Sequence, residues 1–214
     1  WQLTLADAFL AATNAARTAG GSAPRKSLFE VFAGSCELSL AFRRLGADSE
    51  PYDIRLVGSH DFLRDEAFSE RLNAAPPWDI VHFAPPSLPG MGAGEAELLS
   101  EKLLAALSLL HSLRRGFVVE DSEGSQLWDT QEMREAAELS GVEQVTIDLR
   151  SFDAGLDGPR PTRLLTNRAA WFAPLLAPQE GAEAASGRAA ARPRRAAAAA
   201  ESTRYPRAFC DAYA

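Results

Sequence analysis

Apolar residues recur along this chain in two alternating patterns. Short runs at 27–32 (SLFEVF), 78–83 (WDIVHF), 116–120 (GFVVE) and 142–149 have the length and the β-branched or aromatic content of buried strands. A further strand is expected at 49–54 and a short one at 163–166. Between them lie stretches with helical spacing: 37–45, ended by Gly46; 65–74, stopping before Pro76 and Pro77; and 127–139, ended by Ser140 and Gly141. The most regular is 95–114, where leucines return at helical intervals. Short apolar strands alternating with longer amphipathic helices predict an α/β fold, with a mostly parallel sheet covered by helices on both faces. In such a fold ligands bind outside the carboxyl ends of the strands. The three most unusual loops, after Phe32, Phe83 and Glu120, all fall at those ends.

The flanks read differently. Residues 3–16 have alanine-rich helical spacing, and 20–24 (GGSAP) reads as a linker, so 1–24 is taken as a helix and linker ahead of an α/β domain over 25–173. From 174 to 203 alanine dominates, with Arg188, Arg192, Arg194 and Arg195 interspersed, which predicts a solvated low-complexity tether. Residues 204–214 regain aromatic side chains and are expected to form a helix that docks back on the domain. Beginning at Trp1, the chain is expected to be a piece of something longer.

Composition narrows the function classes. The 214 residues carry a net charge of -7, so no overall basic field draws the chain to nucleic acid, and any such contact needs a local patch. The two cysteines, Cys36 and Cys210, have no metal-ligand spacing and suggest neither zinc nor a disulfide framework. With no apolar run of membrane-span length and no signal-peptide pattern, no membrane partner is expected. Location is taken as intracellular, with the nucleus as one candidate. Oligomeric state is left open.

Four short constellations carry the candidate chemistry. Phe32-Ala33-Gly34-Ser35 joins a strand to a helix, where a glycine admits a ligand close to the backbone and the helix N-terminus offers N–H donors. Neither GxGxxG nor a GK[ST] loop is present, which counts against a dinucleotide or a P-loop nucleotide. Asp53, about twenty residues on, sits where an acidic side chain can accept hydrogen bonds from ribose hydroxyls. Asp61 falls where a next strand would end and could meet an adenine amino group. Ala84-Pro85-Pro86-Ser87 is a stiff turn that aims the residue after it. Glu120 ends an apolar strand, a setting suited to a general acid.

In this order and spacing the pieces resemble the DNA cytosine-5 methyltransferase family. FAGS resembles its FxGxG cofactor loop, FAPPS its PPC loop and EDS its ENV motif. GPRPTRLL at 158–165 resembles the arginine-bearing QxRxR region, and Tyr205-Pro206 with the residues after them resembles the last motif. The resemblance spans about 26–168 plus the last ten residues. It implies a Rossmann-like S-adenosylmethionine-dependent methyltransferase fold, S-adenosyl-L-methionine as cofactor and DNA as partner. Carried over position by position, Phe32, Ala33, Gly34, Ser35, Asp53, Asp61 and Pro85 would hold the cofactor, and Ser87, Glu120 and Arg163 would stand at the reacting centre.

The departures bear on activity. Ser87 occupies the place of the family's nucleophilic cysteine, and a serine hydroxyl needs an adjacent general base before it attacks anything. His82 lies five residues away on the same strand, where a lone histidine is more often packed than catalytic. Nothing of the size of a target-recognition domain follows Arg163. The expectation is therefore a cofactor-binding domain with weak or lost activity. An amino-methyltransferase is a second reading, disfavoured because Ala84 and Ser87 do not supply the [DNS]PP[YFW] pattern. A non-enzymatic scaffold using 188–195 as its contact segment is a third.

Overall fold

The computed structural model describes residues 27–73, 78–152, 159–172, 205, 209 and 210. The expected helix at 3–16, the tether at 174–203 and most of the C-terminal helix lie outside the described residues. In chain order the elements are β1 (Ser27–Val31), α1 (Glu37–Arg44), β2 (Asp48–Tyr52), α2 (Phe68–Asn73), β3 (Ile80–Phe83), α3 (Ala93–Ser112), β4 (Gly116–Ser122), α4 (Gln131–Ala137), β5 (Glu143–Asp148) and β6 (Pro161–Thr166).

The six strands form one sheet in the order β2-β1-β3-β4-β6-β5. β1 pairs in parallel with β2 and β3, and β3 with β4, while β6 is antiparallel to both β4 and β5. Five strands thus point one way and only β6 runs against them. Because β2 lies on one side of β1 and β3 on the other, the connections diverge there and leave a crevice at the carboxyl ends of β1 and β3. This is the α/β fold with a mostly parallel sheet, covered on both faces, that the sequence predicts.

Alternation along the central strands explains why both faces are covered. Phe29, Val31, Val81, Phe83, Phe117 and Val119 point to one side, where they pack with Leu72 of α2, Leu99, Leu103, Leu107 and Leu110 of α3, and Met133 and Ala136 of α4. Leu28, Ile80, Val118, Ile147 and Leu164 point to the other, against Leu38, Ala41 and Phe42 of α1 and against Phe209 and Cys210. The second face also carries three ionisable side chains, Glu30, His82 and Glu120, all at least nine-tenths buried. Of these, Glu120 lines the cavity at the crevice.

Some boundaries differ from the sequence-based expectation. The predicted helix at 127–139 is two pieces: Ser125 caps a 3-10 turn (Gln126–Asp129), and Thr130, extended at ψ 152°, restarts the chain as α4 by accepting from Met133 N at 3.3 Å. The strand expected to end near Asp61 is replaced by turns, since Leu56 and Val57 N–H return to the Asp53 carbonyl and His60 N–H to that of Val57.

Candidate functional site

The turn after β1 is held by the end of β2. The Tyr52 carbonyl accepts from Phe32 N at 2.8 Å and Ala33 N at 3.3 Å, and Asp53 Oδ2 accepts from Gly34 N at 2.9 Å. These bonds fold the turn tightly enough that Phe32, Gly34 and Cys36 all take positive φ, at 62°, 51° and 60°. Only glycine adopts that conformation without steric cost, so a cost of about 1 kcal/mol or more attaches to each of the other two. The remaining Asp53 oxygen accepts from Arg55 N at 2.8 Å, which makes Asp53 the organiser of this corner.

The sequence suggests that α1 offers its N-terminal donors to a ligand, and here the structure corrects the expectation. Cys36, the N-cap, makes no side-chain cap bond. Glu30 reaches across from β1 instead, and its Oε2 accepts from Ser39 N at 2.8 Å. A carboxylate of the protein therefore sits where an anionic ligand would otherwise bind. Burial pushes the Glu30 carboxyl above its ordinary value, only partly offset by hydrogen bonds from Ser39 and Leu38 and by the nearby His82.

Around the crevice lies a cavity of about 530 Å³, a volume suited to a small organic ligand. Its walls come from 32–35 after β1, 84–87 after β3 and 120–122 ending β4, joined by Arg55, Arg160, Thr162 and Tyr205. Pro85 is buried and fixes the loop, while Ser87 is exposed at the start of a 3-10 turn (Leu88–Gly90). Among the described residues the Ser87 hydroxyl has no hydrogen-bond partner, and no imidazole or carboxylate lies within bonding reach of it. Burial pushes the Asp121 carboxyl up, against hydrogen bonds from Ser125 and Ser122, and the neighbouring Glu120 adds to the rise.

A cluster of Glu120, Tyr205 and His82 runs from the cavity wall inward. The Tyr205 hydroxyl donates to Glu120 Oε2 and lies 3.3 Å from His82 Nε2, which is itself 3.8 Å from Glu120 Oε2. His82 is fully buried and Glu120 is 9% exposed. The histidine thus faces Glu120 and Tyr205 and does not serve Ser87. Cys36 is not set up as a nucleophile: burial and the nearby Glu30 and Asp53 push its thiol up, and it is absent from the cavity wall.

Of the residues singled out from sequence, Phe32, Ala33, Gly34, Ser35, Pro85, Ser87 and Glu120 converge on this cavity. Asp53 stands behind its wall, tied to Gly34. Asp61 and Arg163 are not part of the wall. Asp61 closes a local turn by accepting from Leu63 N at 3.1 Å and pairs with Arg64 at 3.7 Å. Arg163 places its guanidinium over the Trp128 ring, 5.4 Å from its centre. Arg55 and Arg160 were missed, whereas Tyr205 belongs to the stretch that resembles the family's last motif and does line the cavity. Arg160 lies three residues from Arg163, close enough that the sequence resemblance alone does not choose between them. Tyr205 reaches the site through contacts far apart in sequence, to Glu120 and to His82.

No family model matches the chain, and no curated protein sequence matches it. Among solved structures, it is similar to the crystal structure of S. pombe Dnmt2 methyltransferase, with a TM-score of 0.46 and 12% identity. That match covers 66% of this chain and 49% of the other, so the chain spans about half the length of the protein it resembles.

Proposed function

We propose that the chain binds S-adenosyl-L-methionine in the crevice cavity, as a degenerate relative of the DNA cytosine-5 methyltransferases with weak or lost transfer activity. The observation that carries this reading is the convergence of three strand-end loops, 32–35, 84–87 and 120–122, on one cavity at the point where the sheet connections diverge. The cavity residues fit the cofactor. Gly34 keeps the turn open at φ 51°, with nothing closer than 3.6 Å to the position a β-carbon would take. Asp53, just behind the wall, accepts from Gly34 N and Arg55 N and so fixes the turn on which the ribose would lie. When bound, the cofactor supplies an electrophilic methyl group on a sulfonium.

What the chain's own residues contribute follows from their surroundings. Ser35 and Pro85 wall the ligand, and Glu120 is the acid facing a bound base, with Tyr205 holding one of its oxygens. Ser87 is the weak member. A hydroxyl with no base beside it is a poor nucleophile at neutral pH, so covalent attack on a cytosine ring is expected to fail at this step. With a net charge of -7, contact with DNA falls to arginines at the cavity mouth, Arg55 and Arg160.

Calorimetry with S-adenosylmethionine tests the cofactor assignment. Saturable one-site binding is expected, and absence of heat and of any melting shift would leave only a scaffold. A Ser87→Cys variant assayed on cytosine-containing DNA tests the lineage. Methyl transfer is expected to appear, and to fall by about a hundredfold or more when Glu120→Gln is added. Activity in the unmodified protein that survives Ser87→Ala would contradict the account of decay at this position.

A further inference from the structure

The cation standing over the cofactor turn is Arg55, and its setting is unusual. Its backbone N–H is fixed on Asp53 Oδ1 at 2.8 Å, and its Nε stays 3.5 Å from the same oxygen. A guanidinium nitrogen lies 3.6 Å from where a β-carbon on Gly34 would stand, so the group is aimed across the turn and into the cavity wall. Yet the side chain is 78% exposed, and among the described residues Asp53 is its only ion partner. A guanidinium carries five donors in a planar fork that matches an oxyanion two bonds at a time. Most of that fork is unspent.

The rest of the corner explains why a cation is needed there. The N-terminal donors of α1, the usual seat of an anionic ligand group beside such a turn, are answered by Glu30. The opposite wall carries Glu120 and Asp121, which repel an anion and favour a cation. The cavity thus carries Glu120 and Asp121 with Arg160 beside them at the end of β4, and the Arg55 guanidinium over Gly34.

We propose that Arg55 is the residue by which this cavity recognises an oxyanion on an adenosyl ligand, either a carboxylate or a phosphate. The idea rests on the cofactor reading above and extends it: a zwitterionic ligand lies with its sulfonium toward Glu120 and Asp121 and its oxyanion on Arg55.

Calorimetry with three probes tests this: S-adenosylmethionine, its decarboxylated form, and adenosine 2′,5′-bisphosphate. Each is titrated into the unmodified chain, Arg55→Ala and Arg55→Lys, with melting temperatures confirming that these surface variants stay folded. If the oxyanion is the carboxylate, S-adenosylmethionine binds about tenfold to a hundredfold more tightly than its decarboxylated form. Arg55→Ala erases that preference, and Arg55→Lys, a point charge without the fork, keeps part of it. If it is a phosphate, the bisphosphate shows the Arg55 dependence instead. Binding of the bisphosphate alone, still dependent on Arg55, would remove the methyl-donor reading and leave the oxyanion site standing. Equal affinities for the two sulfonium probes, with no bisphosphate binding or with binding indifferent to Arg55, would overturn the proposal while sparing the cofactor reading. Failure of all three overturns both.

Discussion

The carboxylate that caps α1 comes from the strand beneath it, because Cys36 at the helix start makes no side-chain cap bond. Glu30 thus ties β1 to the start of the helix that follows it through a buried bond. Truncation by Glu30→Ala strands the Ser39 N–H and is expected to cost about 1–3 kcal/mol in urea denaturation. The same residue gives the fold a pH dependence. With its carboxyl held above the ordinary 4.5, the native state keeps the proton more tightly than the unfolded chain. Its contribution is complete below the ordinary value and is lost as pH rises through the folded value. Glu30→Gln keeps an acceptor but cannot ionise, so stability should decline less between acidic and neutral pH than in the parent. An identical slope would refute the assignment. Asp65 does not confuse the measurement: despite burial, bonds from Tyr52, Ala67 N–H and Arg71 hold it below its ordinary 3.8, so its contribution fades only in stronger acid.

Among the elements, β4 shows how little room the sheet leaves. A β-carbon on Gly116 would lie 2.6 Å from the Asp79 carbonyl oxygen, whose bond from Gly116 N starts the strand, and 3.3 Å from Arg168. Backbone cannot retreat cheaply, so Gly116→Ala is expected to destabilise by about 1–3 kcal/mol, read as a lowered melting temperature. Strand and helix identities were legible from apolar runs such as FVV and the leucine spacing of α3. The direction of β6 was not, because alternation along PTRLLT reads the same whichever way a strand is laid. Nor was the break at Thr130, where one hydroxyl's preference for capping outweighs a helical pattern that continues through it. At the site, residues adjacent to strand ends could be named from sequence. Arg55 and Arg160 depend on contacts that local pattern does not encode, Tyr205 could be named only from the family's last motif, and Asp61 and Arg163 satisfy the motif while their side chains are engaged elsewhere.

For the molecule as a whole, the face carrying α1 is completed from far down the chain. Phe209 and Cys210 are fully buried against Leu28, Ile80 and Val118, and Tyr205 reaches Glu120 from the same stretch. Integrity of the cavity and of this second core are therefore coupled. Phe209→Ala should cost about 3–5 kcal/mol, measured by denaturant midpoint, and should weaken ligand binding although the ring lies outside the cavity wall. Stability lost without any change in affinity would separate the two.

The reversed course of β6 has an architectural result. Since β5 finishes and β6 begins at the same rim as the cavity, the chain between them leaves and re-enters beside the ligand mouth. Its neck is stitched shut by Arg160 N on Asp148 Oδ1 at 2.8 Å and Leu149 N on the Arg160 carbonyl at 3.1 Å. Those two bonds lock the end of β5 to the start of β6 beside the mouth, so a change of length between them is expected to leave the sheet register as it is.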